Sequence, residues 1–444
     1  MSTPTPHPEK PRGHLMRVLG VGFGVAVIIG GTIGTGILRT PGMVAAELPN
    51  AWLFLGVWVL GALYALLGTF AASELGAMVP RSGGWYVFTR RALGEFPSFV
   101  VGWTDWLANC GTTAAVAMVV GEYLGNLFGV FRGHAVEIGC VIVLLVMALQ
   151  WRGVRTGSGV QNTMSTLQAL AFLAFVIAAV VFAHPPHPQA TAAIPVGVGL
   201  FAALVLAFQS VVYTYDGWYS VIYYGEEVKN PGRAVPRSMM GGLVALTAIY
   251  LLVNASLLHV LGVGGMAGQN LALGTASTVL FGPRGDTIIR ALTIVSMLSA
   301  SNAFQLNASR IPYAMACDGL AFRGLRNVNR GGTPTTSLLF SGIAALALMV
   351  TGSFERLTAI LAFFFVANYT LAYLAVFVLR RREPETPRPY RAWGYPWTTA
   401  LALLGSVAFL TAAIASDTRN SVYALLVLAV SYPLYLAFRR LERK

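Results

Sequence analysis

Charge is what this chain has least of. Only 11% of its 444 residues are Asp, Glu, Lys or Arg, against 56% hydrophobic, and mean hydropathy is +0.67. Soluble domains carry roughly 25% charged residues, so a water-soluble enzyme or binding module is excluded. Cysteine is almost absent as well. Cys110, Cys140 and Cys317 lie in apolar runs or at a helix end, so no disulfide framework is expected. There is no HExxH, GxSxG or Gly-Lys-Ser/Thr motif, which removes the zinc protease, serine hydrolase and nucleotide-loop readings. His184-Pro185-Pro186-His187 reads as a proline-rich turn, and neither metal nor cofactor is expected. The polar loops 316–333 and 380–397 hold too few apolar residues to build a second core.

What is present is a succession of apolar runs of roughly 20 residues, the length of a transmembrane helix. Twelve are read, at 15–38, 52–78, 97–127, 135–151, 158–182, 196–224, 240–262, 286–315, 334–353, 356–379, 398–415 and 422–438. The fold class is therefore an all-α polytopic membrane protein, preceded by a polar, proline-bearing tail over 1–14. The first run has no small-residue cleavage site behind it, so it reads as a span rather than a signal peptide.

The net charge of +13 would suit a nucleic-acid partner, but its distribution speaks otherwise. With twelve spans both termini share one side, and 24 of the 30 Lys and Arg fall there. The opposite side has six: Arg39, Arg132, Arg284, Arg290, Arg356 and Arg419. Basic loops stay cytoplasmic, so both termini are placed in the cytoplasm, in a bacterial-type inner membrane. The cations meet anionic lipid heads, and no nucleic acid is expected.

Two spans are interrupted. Val25–Pro41 carries Gly30, Gly31, Gly34 and Gly36 within two turns. This suits close helix packing, or a broken helix whose second half offers free N–H groups and a positive dipole end to an anion. In the sixth run Tyr213-Thr214-Tyr215-Asp216-Gly217-Trp218 puts an acid and a glycine among aromatics near the bilayer centre. An ionisable group there is expensive and marks function. Spans one and six occupy corresponding positions in a five-plus-five inverted repeat, and paired interruptions of that kind point to a transporter's midplane site.

These segments resemble the amino acid–polyamine–organocation superfamily, and within it the L-amino acid transporter-like permeases. The likeness rests on Ile33-Gly34-Thr35-Gly36-Ile37, on Glu74-Leu75-Gly76 through Gly84 with Tyr86 and Gly94, and on Tyr215-Asp216-Gly217-Trp218 with Glu226-Glu227-Val228-Lys229-Asn230-Pro231. Ser309 through Ala316 with Asp318-Gly319, and Leu379 through Pro384 with Pro387 through Tyr390, complete it. The resemblance implies a leucine-transporter-type fold: one five-helix repeat over 15–182, an inverted one over 196–379, and helices eleven and twelve over 398–444. It implies that the amides of Gly34, Thr35 and Gly36 hold an amino acid carboxylate. Carbonyls near Thr32 and Ile33 and in the Tyr213–Asp216 stretch would take the ammonium, with Tyr213 as aromatic gate. Asn302, on a helix that lines the family's site, joins the substrate-binding candidates.

The chain also departs from the family pattern. Gln168 stands where many relatives have a helix-five lysine, and an amide carries no proton. Tyr219 replaces a frequent Asn or Asp. The Asn126–His134 loop lacks the cysteine that joins animal relatives to a heavy chain, so no disulfide-linked heavy chain is expected, and a monomer is the default.

Other polar residues form a gate or coupling set. Asp105 and Asn109 share a face at i, i+4, as an interhelical hydrogen bond or part of an inner gate. Ser299 and Asn302 share another, as polar glue or site lining. Glu74 is expected to pair with an arginine, Arg290 to snorkel outward, and Phe363-Phe364-Phe365 to meet lipid or pack rather than gate. Asp216 is read as a helix cap before a cation partner or proton carrier. The resulting expectation is an alternating-access carrier of neutral L-amino acids, exchanging or proton-coupled. The alternatives are a polyamine or organic-cation permease, for which Asp216 and Asp105 speak, and a transporter-like nutrient sensor.

Overall fold

The computed structural model describes residues 14–48, 50–183, 199–351, 354–416 and 418–442; most of the N-terminal tail and the His184–His187 turn lie outside them. Among the described residues there is no strand, only three isolated bridges between loops. The elements are α1 Val21–Thr32, α2 Thr35–Glu47, α3 Ala51–Met78, α4 Trp85–Leu93, α5 Glu95–Leu127, α6 Ala135–Trp151, α7 Val154–Phe182 and α8 Leu200–Tyr215. After a short 3₁₀ turn at Ser220–Tyr223 come α9 Pro231–Met266, α10 Ala272–Phe281, α11 Gly285–Cys317, α12 Thr335–Thr351, α13 Phe354–Arg382, α14 Trp397–Ser416 and α15 Thr418–Glu442.

Seven of these helical runs are long and apolar enough to cross a membrane, or eight with the bent α1–α2 pair counted as one; α6, α8 and α12 are apolar but shorter. The difference from the twelve runs of the sequence has a local cause. α8 stops at Tyr215 because the chain turns at Asp216 and Gly217. α5 is long but carries Glu95, Thr104, Asp105, Asn109, Thr112 and Thr113 along its length, which makes it a polar helix by membrane standards.

α5 and α11 form the central pair, with α1 wedged among α7, α9 and α11, and α2 against α8 and α9. Nearly every residue of α11 from Ser299 to Ala316 is buried, so this helix is packed all round rather than amphipathic. α4 inserts Trp85, Tyr86, Val87, Phe88 and Thr89 into the core. It packs as a plug between α5 and α13.

Candidate functional site

α1 and α2 meet at a 50° bend. Ile33 leaves helical geometry (φ −75°, ψ 87°) and Gly34 is extended (φ −121°, ψ −142°). The Gly34 amide donates to Thr32 O at 2.9 Å, whereas Thr35 and Gly36 head α2, where N–H groups have no intrahelical acceptor. Those two amides stand at the positive end of a 13-residue helix, the kind of place that favours an anion. The carbonyls before it are partly engaged: Gln168 Nε2 donates to Ile33 O at 2.6 Å. Each carbonyl keeps a second lone pair.

The second break follows α8. Asp216 is its C-cap (φ −61°, ψ 140°), and Gly217 takes φ +111°, a conformation that glycine adopts freely. A Cβ on Gly217 would also lie 2.7 Å from Thr32 Oγ1 and 3.2 Å from Thr32 Cα, so the two breaks touch at this glycine. The Asp216 carboxylate accepts from Tyr219 Oη at 3.2 Å, and no ion pair to it occurs among the described residues.

Tyr250, which no sequence motif singles out, joins the breaks. Tyr250 Oη, on α9, lies 3.1 Å from Thr32 O and 2.9 Å from Thr214 O. One phenolic proton is shared between the last carbonyl of α1 and the end of α8. Nothing in the apolar run of α9 distinguishes Tyr250 from a packing tyrosine.

Between the breaks and α5, α11 and α13 lies a cavity of about 70 Å³, lined by Gly31, Thr32, Gly34, Gly36, Tyr213, Thr214 and Asp216 on one side. The other side is Thr112, Ala115, Val116, Ala300, Phe304, Leu361 and Phe365. Tyr213 remains 39% exposed at its edge. One wall presents amides, carbonyls and a carboxylate, and the opposite wall is apolar apart from Thr112. Of Phe363-Phe364-Phe365, expected to meet lipid or pack, all three are buried, and Phe365 also lines the cavity.

Several of the expected residues sit elsewhere. Asn302 donates to Gln161 Oε1 at 2.8 Å and accepts from Gln150 Nε2 at 2.9 Å. Ser299 contacts Gln161 and Ser165, and Ser165 donates to Ala26 O. This buried amide–hydroxyl network packs behind Gly30, where a Cβ would collide with Gln161, Ser165 and Ser299. Gln168 braces the first break from α7. Asp105 accepts from Tyr223 Oη at 2.8 Å and from Asn109 Nδ2 at 3.1 Å, and is not among the residues lining the cavity. Tyr215 packs on Trp58 and Tyr250, and Trp218 on Trp85 and Tyr369, as walls behind the site.

On the side carrying the basic loops the chain is tied shut. Arg310 and Glu227 form a bidentate pair at 2.9 Å with both side chains fully buried, and Arg310 lies over the Tyr224 ring. Leu19 and Val228 bridge through Leu19 N to Glu227 O (2.9 Å) and Lys229 N to Leu19 O (2.8 Å). Arg81 and Tyr86 both donate to Asp318, and Glu226 meets Ser82, its carboxyl pushed above the usual range by burial. Glu74 pairs with Arg380, and Arg290 with Asp286.

Helices interrupted in pairs around a small-molecule cavity, in an apolar chain, define a multi-pass membrane protein of permease type. The chain belongs to the amino acid permease family, whose profile matches residues 24–437. It is 31% identical over 432 residues to the serine/threonine exchanger SteT of Bacillus subtilis (strain 168), covering 96% of this chain and 98% of that protein. Similarity extends to the human b(0,+)-type amino acid transporter 1, at 27% over 393 residues, 85% of this chain and 79% of that one. The branched-chain amino acid permease BcaP of Bacillus subtilis (strain 168) is 27% identical over 399 residues, 85% of this chain and 83% of its own.

Proposed function

We propose that this protein carries neutral L-amino acids across the cytoplasmic membrane by alternating access, without enzymatic chemistry. Twelve spans form the carrier, the first ten as a five-plus-five inverted repeat, with both termini in the cytoplasm and the monomer as the working unit. The observation that carries the reading is the meeting of the two breaks at Gly217 and Thr32, beside a cavity with polar and apolar walls. A zwitterion needs an anion site and a cation site a few ångströms apart. The free amides of Thr35 and Gly36 supply the first, and the carbonyls and carboxylate of the α8 end supply the second. The amino acid's side chain then rests against α5, α11 and α13. Tyr213 closes over it from outside, and the Arg310–Glu227 layer opens on the inside.

A second reading rests on Asp216. It lines the cavity with no cation among the described residues around it, so a substrate with a further ammonium, a cationic amino acid or a polyamine, would find a counter-ion there.

The test is uptake of a panel of radiolabelled amino acids and polyamines into liposomes holding the purified protein. Runs with and without internal substrate, and with and without a proton gradient, separate exchange from coupling. Saturable uptake of neutral amino acids supports the first reading. Uptake of polyamines alone moves the function to the second.

A further inference from the structure

The apolar wall of the cavity contains one polar side chain. Thr112 shares a face of α5 with Ala115 and Val116 at i, i+3 and i+4. Around them stand Ala300 and Phe304 of α11 and Leu361 and Phe365 of α13. Threonines in helices ordinarily turn the hydroxyl back to a carbonyl three or four residues earlier. Thr104 does so to Val100 O at 2.9 Å, and Thr113 to Asn109 O at 2.9 Å. The hydroxyl of Thr112 makes no such bond and has no other partner among the described residues, although it is only partly exposed.

We infer that Thr112 is a specificity residue of the side-chain subsite, and that the preferred substrate is a short hydroxylated amino acid of the serine and threonine class. This rests on the carrier reading and names its substrate. A ligand hydroxyl reaching Thr112 would complete a hydrogen bond inside an otherwise apolar enclosure. A methyl in the same place would leave the Thr112 hydroxyl unpaired and desolvated, which is the unfavourable half of such a choice. Phe304, Phe365 and Leu361 close the subsite with bulky side chains, which favours a two- or three-atom side chain over leucine or phenylalanine. Tyr213, Asp216 and Thr214 line the opposite wall, where the ammonium and carboxylate are held, and so do not compete for the side chain.

Threonine and valine differ by one hydroxyl at nearly constant shape, so the pair isolates the contact. Competition against a bound radiolabelled amino acid on purified protein is predicted to favour threonine over valine, and serine over alanine, by about tenfold. In Thr112→Val both ratios should fall to about one, with valine affinity held or improved, whereas Thr112→Ser should keep them. Melting temperature checks that each variant is folded. A threonine-to-valine ratio near one in the wild type, or a ratio that survives Thr112→Val, overturns the inference while leaving the carrier reading intact. Failure to bind any amino acid overturns the carrier reading and this inference with it.

Discussion

Gln168 Nε2 donates to the carbonyl of Ile33 at 2.6 Å, so an amide on α7 holds the residue at which α1 ends. The bond is buried, and the other amide atom, Oε1, has no partner. Gln168→Leu removes the donor and leaves that carbonyl without it. The expected loss is about 1–3 kcal/mol in unfolding stability. On the proposed alternating-access cycle the break is where the chain flexes, so transport rate should fall more than affinity, as read by initial rates and equilibrium binding on the same preparation.

Tyr250 should behave as a clasp between the two breaks. Its hydroxyl is shared between Thr32 O and Thr214 O, and its ring packs on Trp58 and Tyr215. Tyr250→Phe preserves the packing and deletes only the clasp, with an expected cost of about 1 kcal/mol. Substrate affinity should weaken by several-fold, since the break carbonyls are no longer preorganised. An unchanged dissociation constant in Tyr250→Phe would mean that the breaks hold their geometry without it.

The buried Arg310–Glu227 pair makes a different prediction. Removing one member strands a charge with no solvent access, which costs about 3–5 kcal/mol. Arg310→Met should therefore unfold the protein or lower its melting temperature sharply. Arg310→Met combined with Glu227→Met should recover most of that loss. If the pair also latches the cytoplasmic side, the double variant should be stable yet populate conformations open to the inside. Labelling of a cysteine placed at Ser82 by a reagent added from the cytoplasmic side reads that opening.

Much of this was legible before the fold was known, for physical reasons. Glycine and an acid inside apolar runs cannot be explained by lipid, so the breaks at Ile33–Gly34 and Asp216–Gly217 announce themselves. Gln168 was legible because a family pattern places a longer side chain there. What stayed hidden was everything set by packing between distant helices. Asn302 and Gln161 both sit on apolar helices, and only the fold shows that they hydrogen-bond to each other. Tyr250, Thr112 and Phe365 have no local signature: a tyrosine, a threonine or a phenylalanine in a membrane helix is ordinary until its neighbours are known. The span count was legible only as apolar length, which α8 and α5 each violate, one by stopping at its break and the other by its polar residues.

A pH prediction follows from the Arg91–Glu383 pair, which joins α4 to the loop after α13 with Arg91 Nη2 donating to Glu383 Oε2 at 2.6 Å. The hydrogen bond from Arg91 holds the Glu383 carboxyl below its ordinary value. A depressed carboxyl stabilises the fold fully above its unfolded value, about 4.3, and loses that contribution as pH falls through the folded value. Wild type and Glu383→Gln should therefore differ in melting temperature at pH 6 and converge as pH drops below about 4. The pair is partly exposed, so the difference should be small and shrink in high salt.

The central claim is that substrate binds at the break between α1 and α2, and Gly34 tests it most directly. A Cβ on Gly34 meets only Met297 Cε at 3.9 Å and Thr32 O at 4.0 Å, and Gly34 lines the cavity. A larger side chain there fills the site rather than the core. Saturable binding of radiolabelled threonine, serine and alanine to purified wild type and Gly34→Leu is the measurement. The account predicts binding in the wild type and none in Gly34→Leu at an unchanged melting temperature; normal binding by Gly34→Leu would contradict it.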